Sequence, residues 1–97
     1  MTPDDRSRID SYLEMQAVER AASENTLAAY RRDLKDAAAF LSTQGTDLAS
    51  ADREDLTAYQ RALSDEGFSA ATIARRISAL RQFYRFEVED GLRDTNP

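Results

Sequence analysis

The side chains best suited to binding chemistry are four arginines within one helix-length segment, SAATIARRISALRQFYRF at residues 69–86. These arginines are Arg75, Arg76, Arg81 and Arg85. The segment contains no Asp or Glu, so its net charge is +4 although the whole chain is acidic. A guanidinium group binds phosphate or carboxylate oxygens through parallel hydrogen bonds. Because only Arg85 has an acidic residue three or four positions away, we expect these guanidinium groups to be free for an external anion.

Conventional catalytic groups are missing from the chain. There is no His and no Cys, and no Ser or Thr has an obvious general base near it in the sequence. The three glycines are too far apart for a phosphate-binding loop. The acidic run ADREDL at residues 51–56 suggests a metal or acid site, but the helix dipole alone favours acids in a first turn. We therefore predict that this chain is not an enzyme by itself and uses no cofactor or metal.

The composition limits the class of protein. A chain of 97 residues with 41% hydrophobic and 32% charged residues is typical of one compact domain. No apolar run approaches the roughly 20 residues of a membrane helix, and the acidic N-terminus is unlike a secretory signal. We therefore expect a cytoplasmic protein that does not bind membranes. The net charge of −5 argues against a polyanionic partner, but a separated basic face acts locally within about 10 Å.

Capping signals and apolar periodicity predict four helices and no strands. The first is expected from Thr2-Pro3 to about Arg20 and the second from Ser23 to about Thr43. Asp52 is predicted to cap the third, which ends at Gly67, and Ser69 to cap the fourth, which ends at Gly91. The fold class is therefore an all-α, compact bundle of four helices. The predicted inward-facing residues are Ile9, Tyr12, Leu13, Ala17, Leu27, Tyr30, Leu34, Ala37, Ala38, Leu41, Leu48, Leu56, Tyr59, Leu63, Ile73, Ile77, Leu80, Phe83, Tyr84 and Val88.

A second basic group, Arg31, Arg32 and Lys35, lies on one flank of the predicted second helix. Solvated helix surface is the ordinary interpretation of such a group, because charged helix faces usually meet water. The tyrosines occupy apolar stripes, which favours packing over stacking on single-stranded bases. The hypothesis that remains is duplex binding by helices through arginine and hydroxyl groups.

Two stretches resemble a known family. SENTLAAYRRDLKDAAAFL at residues 23–41 contains the pattern S-x-N-T-x-x-x-Y-x-R-D-L, and residues 67–97 contain S-x-x-T-x-x-R-x-x-S-A-L-R-x-F-Y. Both resemble the N-terminal core-binding domain of Xer-type tyrosine recombinases and related phage integrases, from about Ile9 to Pro97. The resemblance implies a SAM-like helical domain that forms half of a C-shaped clamp around double-stranded DNA. It also implies an interdomain linker beginning at Asn96-Pro97, so residues 1–97 are expected to be a single N-terminal core-binding domain.

In this family the second and fourth helices face the recombination site, so the resemblance assigns DNA-binding residues to both. On the second helix they are Asn25, Thr26, Tyr30, Arg31, Arg32 and Lys35, and on the fourth Ser69, Thr72, Arg75, Arg76, Ser78 and Arg81. The strand-cleaving tyrosine and its partners belong in the family to a C-terminal domain, which we expect to be absent from this chain. Other recombinase protomers on DNA are the implied partners of the full-length protein, and the isolated domain is expected to be a monomer.

One alternative function stays open at this point. The predicted first and third helices are more acidic than a DNA clamp requires, so the basic face could instead dock an acidic protein partner. Both hypotheses share a structural expectation. Arg75 is expected to point into solvent and to be dispensable for folding, whereas Ile77 is expected in the core.

Overall fold

Four α-helices and no strands form the protein in a computed structural model that describes residues 1–97. The helices are α1 (Pro3–Glu19), α2 (Glu24–Thr43), α3 (Arg53–Asp65) and α4 (Ala70–Glu89). The Cα radius of gyration is 12.8 Å, as expected for a single folded unit of this length. The predicted all-α bundle is confirmed.

Each helix begins at a side chain that accepts a hydrogen bond from the backbone N–H three residues later. The four N-caps are Thr2, Ser23, Asp52 and Ser69. These caps are the residues that the sequence predicted, because Ser, Thr and Asp satisfy backbone donors that the helix itself leaves free. At the other end of α3, Gly67 has a φ of +90°, and the N–H of Phe68 donates to the carbonyl of Leu63. A residue with Cβ would be strained in this left-handed turn.

The core has an aromatic centre at Tyr12, whose side chain is fully buried. Its ring makes edge contacts with Tyr30, Phe83 and Phe86 at centroid distances of 5.6–5.9 Å. Such perpendicular pairs add to the free energy gained by burying the ring area. Phe86, for which the sequence indicated no partner, is therefore part of the packing between α1 and α4.

The inward faces of α1 and α4 differ slightly from the predicted ones. Ala17 is exposed, and Gln16 is buried instead, where its amide donates to the hydroxyl of Tyr12 at 3.0 Å. Gln16 follows Tyr12 by four positions, so the helix places it directly over that ring. Ile73 and Ile77 are only partly buried, because α4 buries Leu80, Phe83, Tyr84 and Glu87 most completely. Ile77, which was expected in the core, therefore packs against the core cluster from its edge and is only partly buried.

Buried polar groups fasten the loop between α2 and α3 to the rest of the bundle. Leu48 in this loop is fully buried, as its predicted anchoring role requires. Its N–H donates to the carboxylate of Asp5 at 3.0 Å, and its carbonyl accepts from the hydroxyl of Tyr84 at 2.9 Å. A second buried contact joins α1 to α4, where Arg8 donates to Glu87 at 2.6 Å. These contacts hold α4 in a fixed position relative to α1 and the loop.

Candidate nucleic-acid interface

A groove between α2 and α4 brings together four of the predicted DNA-binding residues. Its lining consists of Thr26, Ala29, Tyr30, Asp33, Arg75, Ser78, Ala79 and Gln82, and its volume is about 360 Å³. The hydroxyl of Tyr30 donates to Gln82 at 3.4 Å, while Asp33 contacts Arg75, so later residues of α2 meet earlier residues of α4. The two helices therefore run in opposite directions along this groove.

Arg75 and Arg76 are not free, which corrects the expectation drawn from the sequence. Arg75 donates through Nη1 to Asp33, whose side chain is 3% exposed, although half of the Arg75 side chain remains in contact with solvent. Arg76 donates through Nη1 to Asp36 at 2.7 Å. No carboxylate of α4 lies within four positions of Arg75 or Arg76, but α2 supplies two that are three positions apart and lie on the side facing α4. The spacing of charges along one helix could not predict these ion pairs between two helices.

Arg76 belongs to a small polar network that joins three helices. The hydroxyl of Tyr59 on α3 donates to the same Asp36 oxygen at 2.7 Å. Burial raises the pKa of Tyr59 above its usual value, and the hydrogen bond to the Asp36 carboxylate raises it further. The guanidinium of Arg76 also lies 4.6 Å from the ring centroid of Phe68, and only 15% of its side chain is exposed. Arg76 therefore has a structural role in joining α2, α3 and the start of α4.

The basic group of α2 divides into one paired and two unpaired side chains. Arg31 donates to Asp10 of α1 at 2.9 Å, with both side chains about half exposed. Arg32 and Lys35 are exposed and form no ion pair within 4.0 Å. Arg32 follows Ala29 by three positions, so it lies beside the groove between α2 and α4.

The predicted hydroxyl and amide residues lie at two separate helix ends. Ser69 accepts from the N–H of Thr72 at 3.2 Å and donates to its hydroxyl at 3.0 Å, and Ser23 and Thr26 repeat this arrangement. The shared S-x-x-T pattern of the two helices is thus explained by N-capping. Because α2 and α4 run in opposite directions, the structure does not bring Asn25 and Thr26 together with Ser69 and Thr72.

Arg81 and Arg85 form no ion pair, but Arg81 lies towards α3 and not towards α2. There the two residues share a groove with Arg53 at the start of α3. Arg53 was not among the predicted DNA-binding residues. It is the first residue of α3, where the positive end of the helix dipole disfavours a cation.

The structure also reports on other kinds of site. No group of three or more acidic, His or Cys residues is placed to hold a metal ion. No helix combines the length and apolar character needed to cross a bilayer. Several surface grooves remain, among them the one between α2 and α4 and the one shared by Arg53, Arg81 and Arg85.

Comparison with known proteins identifies relatives along nearly all of the chain. Tyrosine recombinase XerD of Caulobacter vibrioides is 56% identical over 88 residues, which cover 91% of this chain and 29% of that protein. XerD of Rhizobium meliloti is 46% identical over 97 residues, which cover 100% and 31%. Tyrosine recombinase XerC of Erythrobacter litoralis is 51% identical over 89 residues, which cover 92% and 27%. The chain therefore spans less than a third of the length of these curated relatives.

No solved structure matches the chain. Residues 9–91 match the family described as phage integrase, N-terminal SAM-like domain. The matched range contains α2, α3 and α4 completely and most of α1, so it includes the groove between α2 and α4 and all of the groove between α3 and α4 except Asn96 and Pro97. The resemblance inferred from the two sequence patterns is confirmed. The chain belongs to the family of phage integrase N-terminal SAM-like domains, with Xer tyrosine recombinases among its relatives.

Proposed function

We propose that residues 1–97 form one DNA-binding domain of a longer tyrosine recombinase and hold duplex DNA against the exposed sides of α2 and α4. The relatives that support this proposal are named tyrosine recombinases, and this chain corresponds to less than a third of each. Proteins that bind single strands stack the bases on exposed aromatic side chains. Three of the four tyrosines of this chain are buried in the core, which favours double-stranded DNA as the ligand.

The observation that carries the proposal is a ridge on α4 that is exposed and free of carboxylates from Ala71 to Arg85. Its members are Ala71, Ala74, Arg75, Ser78, Arg81, Gln82 and Arg85. Arg32 of α2 extends the basic surface across the groove. Elsewhere the chain is acidic and repels phosphates, so the electrostatic field favours one orientation on DNA. Small residues on the ridge let the helix approach a groove of the duplex closely.

The predicted contact residues take different roles in this proposal. Arg75 keeps Asp33 as its partner and offers its exposed N–H groups to a phosphate. Arg76 acts as a positioning residue, since it holds α4 against Asp36.

The two helix N-termini meet phosphates, because backbone N–H groups there favour anions. The residues at these ends are Asn25, Thr26, Ser69 and Thr72. Arg32, Lys35, Ser78 and Arg81 contact the duplex directly, whereas Tyr30 and Arg31 contribute mainly by their contacts with Gln82 and Asp10.

Strand cleavage belongs to other parts of the longer protein in this proposal. The chain holds no His and no Cys, and its buried tyrosines are held by packing and hydrogen bonds. It therefore binds DNA without cutting it. Its partners are duplex DNA and further recombinase protomers on the same site, and the working compartment is the cytoplasm, where the chromosome lies. The domain is a monomer when it is isolated.

The test compares two single substitutions that remove the same charge. Binding of a fluorescent 30-base-pair duplex is measured by anisotropy between 50 and 200 mM salt. Arg32→Gln is expected to lower the slope of log Kd against log salt by about 0.9, as one lost phosphate contact requires. Arg6→Gln is the matched control, because Arg6 is exposed on the outer side of α1 among Ser7, Asp10 and Glu14.

Equal effects of the two substitutions would remove the support for an interface on α2 and α4. Wild-type protein that shows no duplex binding at 50 mM salt would overturn the DNA-binding proposal as a whole. Salt-dependent binding of an acidic protein in place of DNA is the result that the alternative interaction module requires.

A further inference from the structure

The second groove lies between α3 and α4, along the edge of α4 that faces away from α2. Its volume is about 350 Å³, and eleven residues line it: Arg53, Leu56, Thr57, Gln60, Ile77, Leu80, Arg81, Tyr84, Arg85, Asn96 and Pro97. The floor is formed by the apolar side chains of α3 and α4. The polar and charged side chains lie at the rim. A ligand in the groove would therefore contact charged groups at the rim and apolar side chains at the floor.

Three guanidinium groups surround this groove, and none of its lining residues has an acidic side chain. Arg53, Arg81 and Arg85 are exposed, and none forms an ion pair within 4.0 Å. The groove between α2 and α4 differs, since Asp33 there neutralises Arg75. Like charges gathered in this way repel one another, and an anion between them would remove that repulsion.

Two of the three acidic residues near Arg53, Asp52 and Asp55, cap the helix, whereas Glu54 is exposed and forms no ion pair within 4.0 Å. Asp52 and Asp55 each accept the other's backbone N–H at 3.0 Å, which directs both carboxylates to the start of the helix. Arg53 is the first residue of α3, where the positive end of the helix dipole disfavours a cation. Its position therefore gains nothing from the helix dipole, and Arg53 has no ion pair within 4.0 Å.

We propose that the groove between α3 and α4 binds a backbone phosphate of duplex DNA, so that α3 joins the interface with Arg53, Arg81 and Arg85 around one phosphodiester group. This inference rests on the proposed function and extends it to a helix that neither the sequence patterns nor the α2–α4 groove includes. Gln60 contributes a neutral amide donor from the same helix as Arg53. The apolar floor excludes water beneath the phosphate, which strengthens each charged hydrogen bond.

The experiment uses a matched pair on one helix. Arg53 and Arg61 both lie on α3, both are exposed and unpaired, and only Arg53 lines the groove. We expect Arg53→Gln to weaken duplex binding about five- to tenfold at 0.1 M salt and to lower the salt slope by about 0.9. Arg61→Gln is expected to leave both quantities unchanged. Thermal unfolding of both variants confirms that the comparison is made between folded proteins.

A second measurement locates the contact in the groove. In the NMR spectrum of the wild-type protein, adding duplex is expected to shift the Nε–Hε signals of Arg53, Arg81 and Arg85 and to leave that of Arg61 in place. If Arg53→Gln and Arg61→Gln weaken binding equally, or if the three signals do not move, the phosphate site is overturned while duplex binding through α2 and α4 stands. Absence of wild-type duplex binding is the separate outcome that overturns the proposed function.

Discussion

Arg75 of α4 donates a hydrogen bond to the carboxylate of Asp33 on α2, and this carboxylate is almost completely buried, with 3% of the side chain exposed. Its other oxygen, Oδ1, has no hydrogen-bond partner. Arg75 is therefore the group that compensates a buried charge, and it does so while half of its own side chain stays in solvent. One residue thus stabilises the packing of α2 on α4 and remains available to an external anion.

The first prediction concerns the stability of the Arg75→Ala variant. Removing the guanidinium leaves the Asp33 carboxylate buried without a partner, so the free energy of unfolding is expected to fall by about 1–3 kcal/mol in urea denaturation. Arg85→Ala, on the same ridge but without an ion pair, is expected to change it by less than about 0.5 kcal/mol. Adding Asp33→Asn to Arg75→Ala restores part of the loss. Equal effects of the two single variants would contradict this account of the pair.

The second prediction concerns Arg8, which holds the fully buried Glu87. Arg8 donates to Glu87 Oε1 at 2.6 Å, and Oε2 has no partner. Arg8→Ala is expected to destabilise the domain by about 3 kcal/mol, because it leaves a charge inside the bundle. Arg6→Ala, two positions away and exposed, is the control and should stay within about 0.5 kcal/mol. A small effect of Arg8→Ala would contradict the role of Arg8 in compensating the buried Glu87 carboxylate.

The third prediction ranks two apolar residues of α4. Leu80 is 1% exposed, whereas Ile77 is only partly buried beside the groove between α3 and α4. Leu80→Ala is expected to cost about 2–5 kcal/mol of unfolding free energy, and Ile77→Ala about 1–2 kcal/mol. Urea midpoints of the two variants give the ranking directly. The reverse order would mean that α4 is rotated about its axis relative to the described position.

The fourth prediction is a loss of stability at alkaline pH caused by buried tyrosines. Burial raises the pKa of Tyr12 to about 12, and burial also raises the pKa of Tyr59 and Tyr84 above the ordinary value of 10.0. The folded protein therefore keeps these protons at pH values where the unfolded chain has released them. This contribution is complete below pH 10 and is lost as the pH rises towards the folded pKa values.

Urea denaturation is measured from pH 9 to 11.5. Above pH 10 the free energy of unfolding is expected to fall by about 1.4 kcal/mol per pH unit for each of the three tyrosines. Tyr84→Phe serves as the comparison. It loses the hydrogen bond to the Leu48 carbonyl at neutral pH but removes one titrating group, so its decline should be shallower. A decline as steep as that of the wild type would exclude Tyr84 as a contributor.

The helices and most of the core could be predicted from the amino-acid sequence. The four N-caps and the helix-ending glycines were readable because capping depends on residues only a few positions apart. Periodicity identified Leu34, Tyr59 and Leu80 as inward-facing, since helical geometry fixes which positions share a side. The patterns around Ser23 and Ser69 also identified the family, and these serines proved to be the caps of α2 and α4.

Which arginines form ion pairs depends on the packing of the helices against one another. Arg75 and Arg76 have no acidic residue within four positions on their own helix, yet Asp33 and Asp36 reach them from α2, 42 and 40 positions away. Conversely, Arg53, Arg81 and Arg85 meet at one groove although they lie on two helices. Helical periodicity reports neighbours within about one turn, whereas ion pairing depends on distances between helices that packing alone sets. The basic segment of α4 could therefore be identified from the sequence. Which of its arginines form ion pairs depends on how the helices pack.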